Sequence, residues 1–189
     1  MRRSPVIATF LAAASVAIVA ITQSPSRLPA ATTPDDPTIV AIFDAANTAD
    51  IETGRLAVER AADPAVREFG AMLARDHEQV RQLGRDLAKK LGVTPTPPKD
   101  DASAKAHAAA MASLRAKSGA DFDRAFLRHE AAFHKSVIDA VNGTLLPAIR
   151  NEELRALVVK VAPAFQAHML AAQNLETKLA APSSSNRYR

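Results

Sequence analysis

The chain has no cysteine and no tryptophan, and only 4% of its 189 residues are aromatic. A disulfide framework, a thiolate metal site and acylation of a leading cysteine are all excluded, so stability has to come from packing alone. Glycine is scarce, at 6 residues, with Gly92, Gly119 and Gly143 at apparent helix ends. Most of the 12 prolines fall before residue 38 or between Pro95 and Pro98. Long stretches free of both breakers remain. Hydrophobic residues make up 48% of the chain, and many of them are alanine, the strongest helix former. The composition indicates an all-α fold in a single domain large enough to close a core without staples.

A basic face is also missing, although the isoelectric point is near 9.7. Setting aside Arg2, Arg3 and Arg27 from the 24 basic residues leaves 21 against 20 acidic ones. No helix carries a run of Lys and Arg interleaved with aromatics, which excludes nucleic acid as a partner. The remaining basic excess opens the chain: Met1-Arg2-Arg3 precedes an apolar run from Val6 to Ile21. As a helix that run reaches about 24 Å, short of the roughly 30 Å hydrocarbon core. Residues 1–30 are therefore expected to be a signal peptide, and the protein periplasmic or secreted. Ile18-Val19-Ala20 and Leu28-Pro29-Ala30 are only approximate cleavage sites, so the alternative is an uncleaved inner-membrane anchor with the domain facing the periplasm. Membrane contact is expected only in that case. Residues 31–37 read as a linker, 38–180 as the folded domain and 181–189 as a disordered tail.

Apolar periodicity divides the domain into helices. The first runs from about Pro37 to Ala62, capped by Asp36 or Thr38, with Ile42, Ala45, Ala49, Glu52, Leu56 and Glu59 as its stripe. Asp63-Pro64 supplies an N-cap and first-turn proline for the second, whose stripe is Val66, Phe69, Leu73, Asp76 or His77, Val80, Leu83, Leu87 and Leu91. A short Ala-rich crossover follows from about Ala102 to Lys117, with His107 expected at its surface. Asp121 is the expected cap of the next long helix, Phe122 to Val141. Its stripe is Phe122, Phe126, Phe133, Val137 and Ala140, with Glu130 and His134 one position round and His129 at the boundary. Asn151 caps the last helix, which Pro163 should kink. The expected architecture is an antiparallel four-helix bundle, ferritin-like, with a short extra crossover helix.

Glu52, His77, His134 and His168 each lie about 10 to 13 residues from the same end of this bundle, one on each long helix. Inward imidazoles and carboxylates need partners, so the four are expected to meet in one polar layer. Asp76 and Glu130 are candidate second partners, and Glu130 and His134 are i,i+4 neighbours. Two readings stay open. The layer is either a hydrogen-bonded device that fixes helix register, or a site for a single divalent metal, with zinc, copper and iron suited to such donors. A di-iron oxidase is not expected, because Ala74, Ala131 and Phe165 stand where Glu-x-x-His would require glutamate. Met72, Met111 and Met169 are scattered and read as core filling.

Taken in order, Glu52, Asp76-His77, Gly119 through Phe122-Asp123, His134 and the Pro163-to-His168 spacing resemble domain of unknown function 4142. The resemblance spans about residues 38–180. It implies a ferritin-like fold and export to the bacterial envelope, in a family whose biochemical role is not established. Phe126 stands where the family commonly has Tyr, and Ala162 where Leu is usual, so a role for a phenol is not expected here. The expected function is that of an exported envelope protein, non-enzymatic, with a binding or stress-related role. The alternatives are a metal-dependent redox or hydrolytic enzyme using the same layer, and a module that docks an envelope protein partner. No catalytic triad, phosphate loop or HExxH motif is present.

Overall fold

The computed structural model describes residues 33–99 and 102–181. The expected signal segment, the start of the linker and all but the first residue of the tail lie outside the described residues. Among those described, the chain is helical without a strand: α1 Asp36–Arg60, α2 Pro64–Leu91, α3 Ala102–Arg115, α4 Gly119–Ala140, a single π-helical turn Val141–Leu145, α5 Leu146–Ala148 and α6 Glu152–Ala180. Helices α1 and α2 form one antiparallel hairpin, α4 and α6 a second, and α3 is the crossover that joins them. This is the expected all-α bundle.

The helix ends follow local chemistry. Asp35, one residue before Asp36 and three before Thr38, the expected caps, accepts a hydrogen bond from the Thr38 amide at 3.0 Å, so the helix takes in the last two residues of the expected linker. Asp63 caps α2 ahead of Pro64, and Gly92 ends it in the left-handed conformation at φ 67°. Asn151 accepts from the Leu154 amide at 3.0 Å and caps α6. Asp121 is not a cap: α4 begins earlier, behind Ser118, and Asp121 sits in its first turn, paired with Arg124 at 2.6 Å. Asn142-Gly143 does not stop the helix either. The chain passes through these residues in the π-helical turn and reaches Ala148 before breaking.

Two carboxylates tie the hairpins together. Asp123 at the start of α4 accepts from the amides of Ala62 and Asp63, at 3.0 and 2.9 Å, in the α1–α2 turn. Asp36 at the start of α1 accepts from the amides of Arg150 and Asn151, at 2.9 and 2.8 Å, in the turn before α6. Each hairpin's turn is thus closed by a side chain of the other.

The apolar core is divided in two. At one end Ile39, Val40 and Phe43 pack with Val141, Ile149, Leu154, Val158 and Phe165. At the other, Leu56, Val66, Phe69 and Leu73 pack with Met111, Leu114, Phe122, Phe126 and Leu127. Helices α1 and α2 approach closely at Gly54 and Gly70. A Cβ built on Gly54 would lie 2.6 Å from the Gly70 carbonyl oxygen, and one on Gly70 would lie 2.6 Å from Ala57 Cβ. Between the two apolar regions lie the buried polar residues Asn47, Asp50, Thr53, His77, Glu130, His134 and His168.

The stripe expected on α1 is rotated. Ala45, Glu52 and Glu59 face outward, and the buried line is Ile39, Phe43, Asn47, Asp50, Gly54, Ala57 and Ala61, a three-four spacing with two polar members. On α2, Leu83 is likewise exposed. On α4, Glu130 and His134 occupy the centre of the buried face, while Phe133 and Val137 move to its edge.

Candidate metal centre

Three imidazoles converge between the apolar regions. His77 comes from α2, His134 from α4 and His168 from α6, and each offers a ring nitrogen within 4.8 Å of the other two. The ring centroids are 5.2 to 5.5 Å apart. His77 Nε2 and His168 Nδ1 face each other at 3.2 Å.

The partners of the outward nitrogens bear on where the ring protons lie. The Asn47 side-chain amide donates to the Phe43 carbonyl at 2.8 Å. Its oxygen therefore faces His77, whose Nδ1–H donates to it at 2.9 Å. His134 donates from Nδ1 to the Glu130 backbone carbonyl at 2.9 Å. His168 Nε2 lies 3.4 Å from the Asp76 carboxylate, which favours a proton there. His77 and His134 thus carry their protons on the outer nitrogens, which leaves His77 Nε2 and His134 Nε2 as acceptors; His168 Nδ1 hydrogen-bonds with His77 Nε2, and with its proton on Nε2 beside Asp76 it offers Nδ1 as a third donor. Partners of this kind fix the tautomer and orientation of metal-binding histidines.

Electrostatics keep the rings neutral. Burial pushes His77 down to about 3 and His134 to about 4, with the neighbouring imidazoles adding to the effect. His168 is lowered by burial, against the opposing pull of Asp76. Neutral imidazole is the metal-binding form, so these rings need no deprotonation at neutral pH.

Beside His134 lie two buried carboxyl groups. Asp50 of α1 and Glu130 of α4, together with His134, form a second set of donors lying within 4.8 Å of one another. Burial pushes Glu130 up to about 7. Asp50 is raised well above the usual carboxylate range, by burial first and then by the charge of Glu130. Asp50 Oδ2 lies 3.5 Å from His77 Nδ1 and Oδ1 lies 3.9 Å from His134 Nε2. Asp50 Oδ1, both carboxyl oxygens of Glu130 and His134 Nε2 are buried without a hydrogen-bond partner. The Thr53 hydroxyl donates to the backbone carbonyls of Ala49 and Asp50, at 3.2 Å each, and the side chains of Thr53 and Asp50 next to Glu130 hold it back against the effect of burial.

Of the residues expected to meet here, His77, His134 and His168 do so. Asp76 and Glu130 flank them as the expected second partners. Glu52 does not: it lies on the outer face of α1, where its carboxylate meets His107 Nε2 of the crossover helix at 2.8 Å. Two residues round a helix is about 200° of rotation, and the inward acid of α1 is Asp50. His107 is correspondingly no plain surface residue, since its side chain is only 19% exposed. His129 keeps its boundary place, with its ring 6.0 Å from Phe133.

The family profile called Domain of unknown function (DUF4142) matches residues 22–175. The chain belongs to this family. No curated protein matches this DUF4142 chain. Two solved structures are similar in fold. CopM in the Cu(II)-bound form has a TM-score of 0.60 and 15% identity, covering 77% of this chain and 98% of that one. CopM in the Ag-bound form, obtained by co-crystallization, has a TM-score of 0.60 and 14% identity, covering 79% of this chain and 100% of the other. At such identity the likeness concerns the path of the helices. Among the described residues, no helix is long and apolar enough to cross a membrane.

Proposed function

We propose that this DUF4142 protein is an exported, non-enzymatic metal-binding protein that holds one ion of the copper class between His77, His134 and His168. The observation that carries the reading is the convergence of three buried imidazole nitrogens within 4.8 Å of one another, each ring having on its far side an oxygen able to take its proton. Metal–imidazole bonds of about 2.0–2.1 Å place neighbouring donors roughly 3.3–3.5 Å apart in a tetrahedral or trigonal set. The 3.2 Å between His77 Nε2 and His168 Nδ1 is close to such an edge.

Three neutral nitrogens without thiolate suit copper, and they suit a monovalent ion best because they bring no counter-charge. The similarity in fold to proteins solved with Cu(II) and Ag adds to this reading. Near-total enclosure of the rings, with side-chain exposures of 1%, 0% and 8%, suits retention over turnover of a substrate. Glu52, bonded to His107 on the outer face, has no part in the proposed ligand set.

The test is metal analysis of the mature protein, prepared without chelator or an affinity tag and then equilibrated with Cu(I) or Ag(I). One equivalent is expected in the wild type, with at least a hundredfold loss of affinity in His77→Ala and His168→Ala while far-ultraviolet dichroism stays helical. Equal binding by folded variants and wild type would end the proposal.

A further inference from the structure

The three histidines leave unexplained the densest group of unpartnered polar atoms among the described residues. Asp50, Glu130 and His134 come from two helices that belong to different hairpins, and their side chains are 3%, 0% and 0% exposed. Four of their oxygen and nitrogen atoms lack a hydrogen-bond partner. Two carboxyl oxygens and a ring nitrogen, gathered within 4.8 Å of one another, form the donor set of a divalent cation.

We infer that the polar layer contains a second metal position, made by Asp50, Glu130 and His134, that takes a divalent ion of the zinc class. The two positions differ in chemistry. The imidazole position offers only nitrogen and no charge. The carboxylate position offers two oxygens that, once ionised, match both charges of a divalent ion, so hard and borderline divalent ions favour it over a soft monovalent one.

The positions also overlap. His134 Nδ1 is committed to the Glu130 carbonyl at 2.9 Å, which leaves Nε2 as its one lone pair. A single lone pair serves one ion, so the positions fill in alternation, and His134 belongs to whichever is occupied. Asp50 fits the same arrangement. It ligates in the divalent state, and in the other state its Oδ2 stays 3.5 Å from His77 Nδ1, beside the Asn47 oxygen that orients that ring. The alternation rests on the imidazole site proposed above, whereas the carboxylate position stands on its own residues.

Zn(II) and Ag(I) titrations of the full mature protein, followed by dialysis and metal analysis, separate the two. The wild type is expected to hold one Zn(II) or one Ag(I), with each displacing the other. Glu130→Gln is expected to weaken Zn(II) about a hundredfold and leave Ag(I) within about threefold. His168→Gln is expected to do the reverse. Zn(II) affinity unchanged in Glu130→Gln, or Zn(II) lost in His168→Gln as fully as Ag(I), would overturn the second position. Simultaneous binding of both ions would overturn the alternation. Loss of Ag(I) binding in the wild type would strike the imidazole site alone. Should Glu130→Gln not fold, nitrogen spectra of the wild-type rings decide. Zn(II) is expected to shift His134 Nε2 and leave His168 Nδ1 in place, and a shift of His168 Nδ1 instead would refute the assignment.

Discussion

Leu73 and His77 are one turn apart on the same face of α2, and Phe126 and Glu130 stand in the same relation on α4. All four are essentially fully buried, yet their environments are opposite in kind. Leu73 and Phe126 gain from leaving water in proportion to their apolar area. His77 and Glu130 are destabilised by the same transfer unless something satisfies them. Burial therefore marks where the interior is, and the satisfaction of polar atoms marks what each part of it is for. The apolar ends hold the helices together, and the layer between them gathers polar atoms of which Asp50 Oδ1, both Glu130 carboxyl oxygens and His134 Nε2 lack a hydrogen-bond partner.

Cutting into the apolar side should have the largest effect. Phe126→Ala removes a ring that packs on Phe69 and Phe122, with centroids 6.1 Å away in each case. It is expected to lower unfolding free energy by about 3–5 kcal/mol in urea titrations, with metal stoichiometry unchanged. The layer responds to ligand instead. Ag(I) held at about a hundred times its dissociation constant should add about 2.7 kcal/mol to wild-type stability. The gain should vanish in His77→Ala, and an equal gain in that variant would break the contrast.

Acid sharpens the comparison further. His77 and His134 sit at about 3 and about 4 in the folded protein, below their ordinary 6.5, so the unfolded chain takes up protons first. Their stabilising contribution is complete above pH 6.5 and is lost as pH falls toward 3. Glu130, raised to about 7, acts the other way: its contribution is complete below 4.5 and fades as pH rises through 7. The metal-free protein should accordingly show a shallow stability profile between pH 7 and about 4, where Glu130 and the likewise raised Asp50 oppose the histidines, and a steeper fall below 3.8, where His77 is still titrating. Removing one of them in His77→Gln should reduce that lower slope by up to about 1.4 kcal/mol per pH unit. The smallest effect belongs to the outer pair. His107→Ala, which removes the contact with a half-exposed Glu52, should change stability by no more than about 1 kcal/mol.

Much of this was legible in the residues. Breakers and caps such as Asp63-Pro64, Gly92 and Asn151 marked helix ends because their chemistry is local. His77, His134 and His168 could be placed at one depth because helix rise is constant. Helix α1 was harder. Ala41, Ala45, Ala46, Ala49 and Ala57 blur the contrast between its faces, so the spacing puts Glu52 inward where the fold puts Asp50. The signal that decides between them is the run Asn47, Asp50, Gly54, in which polar and small residues continue the spacing set by Ile39 and Phe43. The bonds to Asp36 and Asp123 could not be read at all, since those to Asp123 span 60 and 61 positions and those to Asp36 span 114 and 115. Nothing in local spacing announces a side chain that serves the backbone of a distant turn.

Those two aspartates bear on how the molecule assembles. Because the bend of each helical pair is finished by an acid belonging to the other, either pair by itself would leave two amides of its bend without that acceptor. Docking is part of making each half. The connection through the crossover helix supplies nearness, but the reciprocal latches make the halves mature as one cooperative body, and the layer they enclose exists only once both are shut.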